Sequence, residues 1–151
     1  KMNNEKFEEL LMEIDSIMDK WLYKHGFTAC SSGLGEDFGW YAKSDTIEYT
    51  LLVDELTDKV FENFFYDELG CKYDIGVFWM SWFHELGHSM TWCDIKNTNF
   101  KEAPIDLIEY IHCPREIIAS QWAVEYINTH IEEVMELARE VDELRRQIYS
   151  L

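Results

Sequence analysis

No run of apolar residues in this sequence approaches the roughly 20 that a membrane-crossing helix needs, so no transmembrane segment is expected. The N-terminus is acidic and amphipathic rather than basic and then apolar, so a signal peptide is not expected either, and the cytoplasm is the expected compartment. Basic residues are scarce: 13 Lys and Arg stand against 30 Asp and Glu, a net charge of −17. That field repels phosphate backbones and disfavours nucleic acid, whereas cations and basic protein segments are attracted. Four cysteines are present (Cys30, Cys71, Cys93 and Cys113), but no C-x-x-C pair, so neither a zinc ribbon nor a redox motif is indicated. Reduced, mostly buried thiols are the expectation. Internal repeats, low-complexity tracts and an obvious linker are also lacking. Lys1 ahead of Met2 reads as an appended residue, with Met2 as the native first one.

What is there in quantity is apolar and aromatic side chain, 47% and 15% of 151 residues, enough for one domain to bury a core without disulfides. Residues 4–24 carry Phe7, Leu10, Leu11, Ile14, Ile17, Met18 and Trp21 at helical steps, with Gly26 as a stop. Short strands are predicted at Phe27–Ser31, Phe38–Lys43 and, most clearly, Thr46–Val53, where Ile47, Tyr49, Leu51 and Val53 share a face. Helices are predicted over Asp54–Leu69, over Ile75–Trp92 behind an Asp74 N-cap, and briefly over 104–111. Pro114 suits the first turn of a long final helix reaching about 149. Its stripe of Ile127, Val134, Leu137, Val141, Leu144 and Ile148 can pack on the first helix or pair two chains as a coiled coil, so monomer and dimer are both open. The expected class is α+β: a helix-dominated single domain with a small, mostly antiparallel sheet.

The chemistry concentrates in His84-Glu85-Leu86-Gly87-His88, an H-E-x-x-H. Positions four apart share one helix face, so both imidazoles can reach one metal ion, and Glu85 beside them can take a proton from a water that zinc has acidified. About two chains in a hundred of this length and composition would carry the pattern by chance. Its setting makes chance a poor account. Val77, Phe78, Trp79, Met80, Trp82, Phe83, Leu86 and Met90 surround the motif, and polar groups inside such a helix need partners. A zinc ion would supply one.

A third ligand is then required. Asp94, ten residues after His84, fits the extended H-E-x-x-H-x-x-G-x-x-H/D spacing, but that motif turns at a glycine and Thr91 occupies the position. Glu116 is the stronger candidate. It opens the last helix, and Ala119, Ser120 and Ala123 share its face, small residues that let another helix come close. A helix-start glutamate that merely suits the dipole is the plainer explanation, and Glu125 is the fallback.

His84-Glu85-Leu86-Gly87-His88 followed by Glu116-x-x-Ala119-x-x-Trp122-Ala123 resembles the gluzincin zinc metallopeptidases, and most the small ImmA/IrrE-type peptidase domains. The resemblance covers two helices, about a third of the chain. It implies one zinc held by His84, His88 and Glu116, with Glu85 as general base, and it implies that a peptide substrate could lie along Thr46–Val53. Relatives often carry Asn or Asp where this chain has Ser120, so support for the ligands is expected to be weaker or to come from elsewhere. No DNA-binding helix-turn-helix is apparent.

For the donor to a developing oxyanion, His112 is the first choice, with Tyr126 and Tyr110 as alternates and a capping histidine at a helix end as the plainer account. His25 and His130 read as ordinary exposed residues. The expected activity is hydrolysis of a protein or peptide by a zinc peptidase, with the acidic surface favouring a basic substrate. The alternatives are a catalytically idle, metal-stabilised binding module and a hydrolase of non-peptide amides.

Overall fold

A computed structural model describes residues 2–51, 55–95 and 106–151, with the backbone alone at 2, 55–57 and 93–95. The contacts gather into two compact units, Lys1–Leu51 with Glu132–Leu151, and Leu52–Ile131. The α+β class holds: helices dominate, a three-stranded sheet is the only other regular structure among the described residues, and a long helix ends the chain. No helix of the described residues is long and apolar enough to cross a membrane.

In the first unit, helix α1 (Met2–Lys24) turns Leu10, Ile14, Met18, Trp21 and Leu22 inward, following the apolar spacing of the sequence. Gly26 (φ 79°) ends the run in the left-handed region that a side chain would disfavour. Strands β1 (Cys30–Leu34), β2 (Gly39–Tyr41) and β3 (Thr46–Tyr49) form a mixed sheet in the order β1-β3-β2, with β3 parallel to β1 and antiparallel to β2. β1 lies three residues beyond the predicted Phe27–Ser31, and its register slips between Ser31 and Leu34 across Gly33 (φ 68°). Ile47, Tyr49 and Leu51 are buried as their alternation required, while Val53 lies outside the described residues. Because β3 is paired on both sides, no peptide can add as a strand along Thr46–Tyr49, which corrects that part of the expectation; of the rest of the predicted run, Thr50 and Leu51 are not strand and positions 52–53 lie outside the described residues.

Two aspartates of α1 seal the outer side of β1: Asp19 accepts from the Ser31 amide (2.6 Å) and Asp15 from the Gly33 amide (3.2 Å) and the Tyr49 hydroxyl (2.7 Å). Helix α6 (Ile131–Tyr149) buries Val134, Leu137, Ala138, Val141, Leu144 and Ile148. Its ties to α1 include Trp21 Nε1 donating to the Glu133 carbonyl (3.2 Å) and Lys24 against Glu136 (3.4 Å). The heptad-like stripe is thus buried inside the fold.

The second unit holds α2 (Glu55–Asn63), which runs on into a π-helical turn at Phe64–Glu68, then α3 (Val77–Ile95), α4 (Leu107–Ile111) and α5 (Pro114–Thr129). α3 starts later than an Asp74 N-cap would set it: Asp74 instead accepts from the Gly76 amide and the Tyr66 hydroxyl, and Gly76 (φ 84°) delays the first turn. The helix expected from 114 to 149 is divided at His130 (φ −127°, ψ 36°). There the Thr129 hydroxyl bonds back to the Glu125 carbonyl at 2.7 Å, competing with the helix ladder, and Glu132 and Glu133 favour a new N-terminus. Of the cysteines, Cys71 is buried, Cys113 partly so, and Cys30 is exposed on β1, against the expectation of burial; the side chain of Cys93 lies outside the described residues.

Candidate metal centre

α3 is buried nearly all round, with Trp79, Met80, Trp82, Phe83 and Leu86 excluded from solvent. Its rings interlock edge to face, Trp79 on Trp82 at 5.7 Å and Trp82 on Phe83 at 5.1 Å, and Phe83 stacks on Tyr126 of α5 at 5.8 Å, a contact that helps to set the rotation of α3 against α5. α5 packs against the polar side of that helix at unusually close range. An added Cβ at Gly87 would meet the backbone of Ala119, 2.9 Å from its carbonyl carbon, and Ala119 and Ala123 are wholly buried. The glycine of the motif and the small face of α5 are two halves of one close approach.

That approach delivers Glu116, in the first turn of α5, to the motif histidines. Its Oε1 lies 3.0 Å from His84 Nε2 and 3.1 Å from His88 Nε2. The three ligand atoms lie within 4.8 Å of one another, and all three residues are buried. Ligands each 2.0–2.1 Å from a tetrahedral zinc stand roughly 3.3 Å apart, so this spacing fits a small divalent ion. His84 Nδ1 meets Ser120 Oγ at 2.7 Å. The serine at this position therefore itself supports His84. Phe61 sets its ring edge-on to His84 at 5.9 Å, a wall that no sequence signal marked.

The electrostatics follow from burial and convergence. Burial alone would raise the Glu116 carboxyl, but hydrogen bonds and charge from both imidazoles outweigh it and hold the group well below the usual carboxylate range. Burial works against the His84 cation, yet the Glu116 hydrogen bond and the charges of Glu85 and Glu116 leave it raised. Glu85 is pushed up chiefly by burial, with Glu116 adding to the effect and the two histidines opposing it. The Tyr110 phenol is raised by burial and by the negative charge of Glu116, with Glu85 near enough to contribute.

The remaining expectations fall elsewhere. α3 continues unbroken through Thr91, whose hydroxyl bonds the Gly87 carbonyl at 2.7 Å, so the backbone at Asp94 stands ~15 Å further along the axis than His84. The side chain of Asp94 lies outside the described residues. Glu125 is exposed. His112 caps α4 and is held by the Ile108 carbonyl (2.7 Å) and Glu68 (2.9 Å), so its ring nitrogens are engaged away from Glu116. Tyr126 is stacked among Phe83, Trp122 and His130. His130 is exposed, whereas His25 is packed on Trp21 rather than free in solvent. Tyr110, the alternate, lies near enough to Glu116 and Glu85 to feel their charge.

No family model, curated protein or solved structure matches the chain.

Proposed function

We propose that the chain is a zinc-dependent hydrolase that cleaves peptide bonds of a protein or peptide substrate, with Glu85 as general base. The observation that carries this reading is the meeting of Glu116 Oε1 with both motif imidazoles, at 3.0 and 3.1 Å, from a helix 28 residues beyond His88. Two histidines and one carboxylate are the ligand set of catalytic rather than structural zinc sites. When bound, zinc lowers the pKa of a water to about 7 and polarises a carbonyl. Glu85, buried beside His84, takes a proton and returns it to the leaving amine. Its carboxyl, raised by burial, is better matched to that exchange near neutral pH than a surface glutamate. Ser120 and the neighbouring rings hold His84 in place, and the Tyr110 hydroxyl replaces His112 as the donor to a developing oxyanion. The net charge of −17 favours basic segments as substrates.

One observation favours a second reading, a catalytically idle module in which the metal only stabilises a partner-binding fold: His84, Glu85, His88 and Glu116 are all under a tenth exposed, and structural sites are closed ones. Glu85→Gln separates the two. Hydrolysis of a casein or peptide-library substrate by zinc-loaded protein should disappear in this variant while zinc content is retained. Turnover that survives the change would remove Glu85 from the mechanism.

A further inference from the structure

We propose that His112 is a positioning residue for the hydrolytic site: as an imidazolium it clamps α4, and Tyr110 with it, to the π-helical turn beside the metal centre. The inference rests on the hydrolase reading above. The ring of His112 bridges two elements of the second unit. Its Nδ1 lies 2.7 Å from the Ile108 carbonyl oxygen of α4, and its Nε2 lies 2.9 Å from Glu68 Oε1 at the end of the π turn. A carbonyl and an ionised carboxylate both only accept hydrogen bonds. A neutral imidazole carries one N–H and satisfies one of them. The cation, with two, satisfies both.

The clamp bears on the site through both of its ends. Tyr110 stands two residues before His112, and its phenol lies under the negative charge of Glu116 and Glu85. The segment that carries Glu68 also sets Phe64 edge-on to the His112 ring at 5.0 Å and, one turn earlier, Phe61 edge-on to His84 at 5.9 Å. At five residues α4 is too short to be stable alone, so Tyr110 is fixed by what holds the end of that helix, buried Ile111 and clamped His112. Among the described residues Glu68 is the charge that bears on the His112 ring, and neither α4 nor α5 brings another. Its bond to Glu68, and then that to Ile108, raise His112 above the ordinary 6.5, so the clamp is complete at low pH and is lost as pH rises through the raised value. The two side chains are 40% and 52% exposed, and a pair this wet loosens α4 on breaking rather than unfolding it.

The test uses the full chain as wild type, Glu68→Gln and Glu68→Ala, compared at about pH 6 and about pH 9 to bracket the histidine. Amide hydrogen exchange over residues 107–113, corrected for its intrinsic pH dependence, reads α4, and kcat of zinc-loaded protein on a peptide-library substrate reads the site. Glutamine donates as well as accepts, so Glu68→Gln meets the ring in either protonation state. Wild type should lose protection over 107–113 at the higher pH, Glu68→Gln should keep it, and Glu68→Ala should lack it at both. The ratio of wild-type to Glu68→Gln kcat should fall about two- to fivefold between the two pH values. Protection that responds to pH alike in wild type and Glu68→Gln overturns the clamp. Protection that responds as expected beside an unchanged kcat ratio overturns its positioning role. Zinc-loaded wild type that hydrolyses nothing at either pH overturns the hydrolase reading and the positioning role with it, while the exchange pattern still decides whether the proton-dependent clamp exists.

Discussion

Gly87 lies directly against the backbone of Ala119, with no space for a methyl group between α3 and α5. Glu116, one turn before Ala119, reaches the histidines only because of that contact. Gly87→Ala should therefore push the helices apart, destabilising the protein by about 1–3 kcal/mol and weakening zinc binding together. Denaturant unfolding and a chelator competition on the same sample measure both. A variant as stable and as tight as wild type would mean that the interface relaxes freely.

Metal content is the most direct check on the centre. Protein purified without added chelator should carry stoichiometric zinc by elemental analysis, and His84→Ala and Glu116→Ala should each lose it. Glu125→Ala, an exposed change on the same helix as Glu116, should keep it.

Leu137 and Val141 are almost wholly buried within the chain. Val141→Asp should accordingly unfold the protein, placing an unpaired charge where none can be satisfied. Circular dichroism and size exclusion distinguish this from a coiled-coil role, in which the variant would remain folded and only change its oligomeric state.

Asp15 is raised mainly by burial, which outweighs the help it receives from Tyr49 and Gly33. The folded state then holds this proton more tightly than the unfolded chain, so the favourable contribution is complete at low pH and is lost as pH rises through the folded value. Asp15→Asn keeps an acceptor oxygen and removes the buried charge. It should match or exceed wild-type stability at pH 7, and the difference should shrink as pH approaches the ordinary carboxyl value of 3.8. Urea unfolding at the two pH values decides; a variant much weaker at pH 7 would show the carboxylate to be essential to β1.

The centre was legible where one helix carried the information. His84, Glu85 and His88 fall on one face by spacing alone, and Pro114 followed by small residues marked Glu116 as the start of a helix able to come close. Legibility failed where two side chains competed for one partner. His112 stands the right distance from Glu116 in sequence, yet Glu68, 44 residues away, captures its ring, and Tyr110 takes the place beside Glu116. Ser120 read as a departure, since spacing does not reveal that a shorter side chain still reaches when the helices are this close. The fold behaved alike. Apolar periodicity set α1 and the buried face of β3, whereas the slip at Gly33 and the break at His130 arise from single residues with local hydrogen bonds or permissive backbones.

The carboxylates of Asp15 and Asp19 occupy outward-facing amides of β1, and β3 is flanked on both sides. Another chain seeking a strand to copy would find β1 already answered by side chains, and at β2 an edge only three residues long. A small sheet in a protein with so many aromatic residues is the sort of element that seeds fibrils; here α1, by lending two acids to its neighbour, makes it a poor template for aggregation.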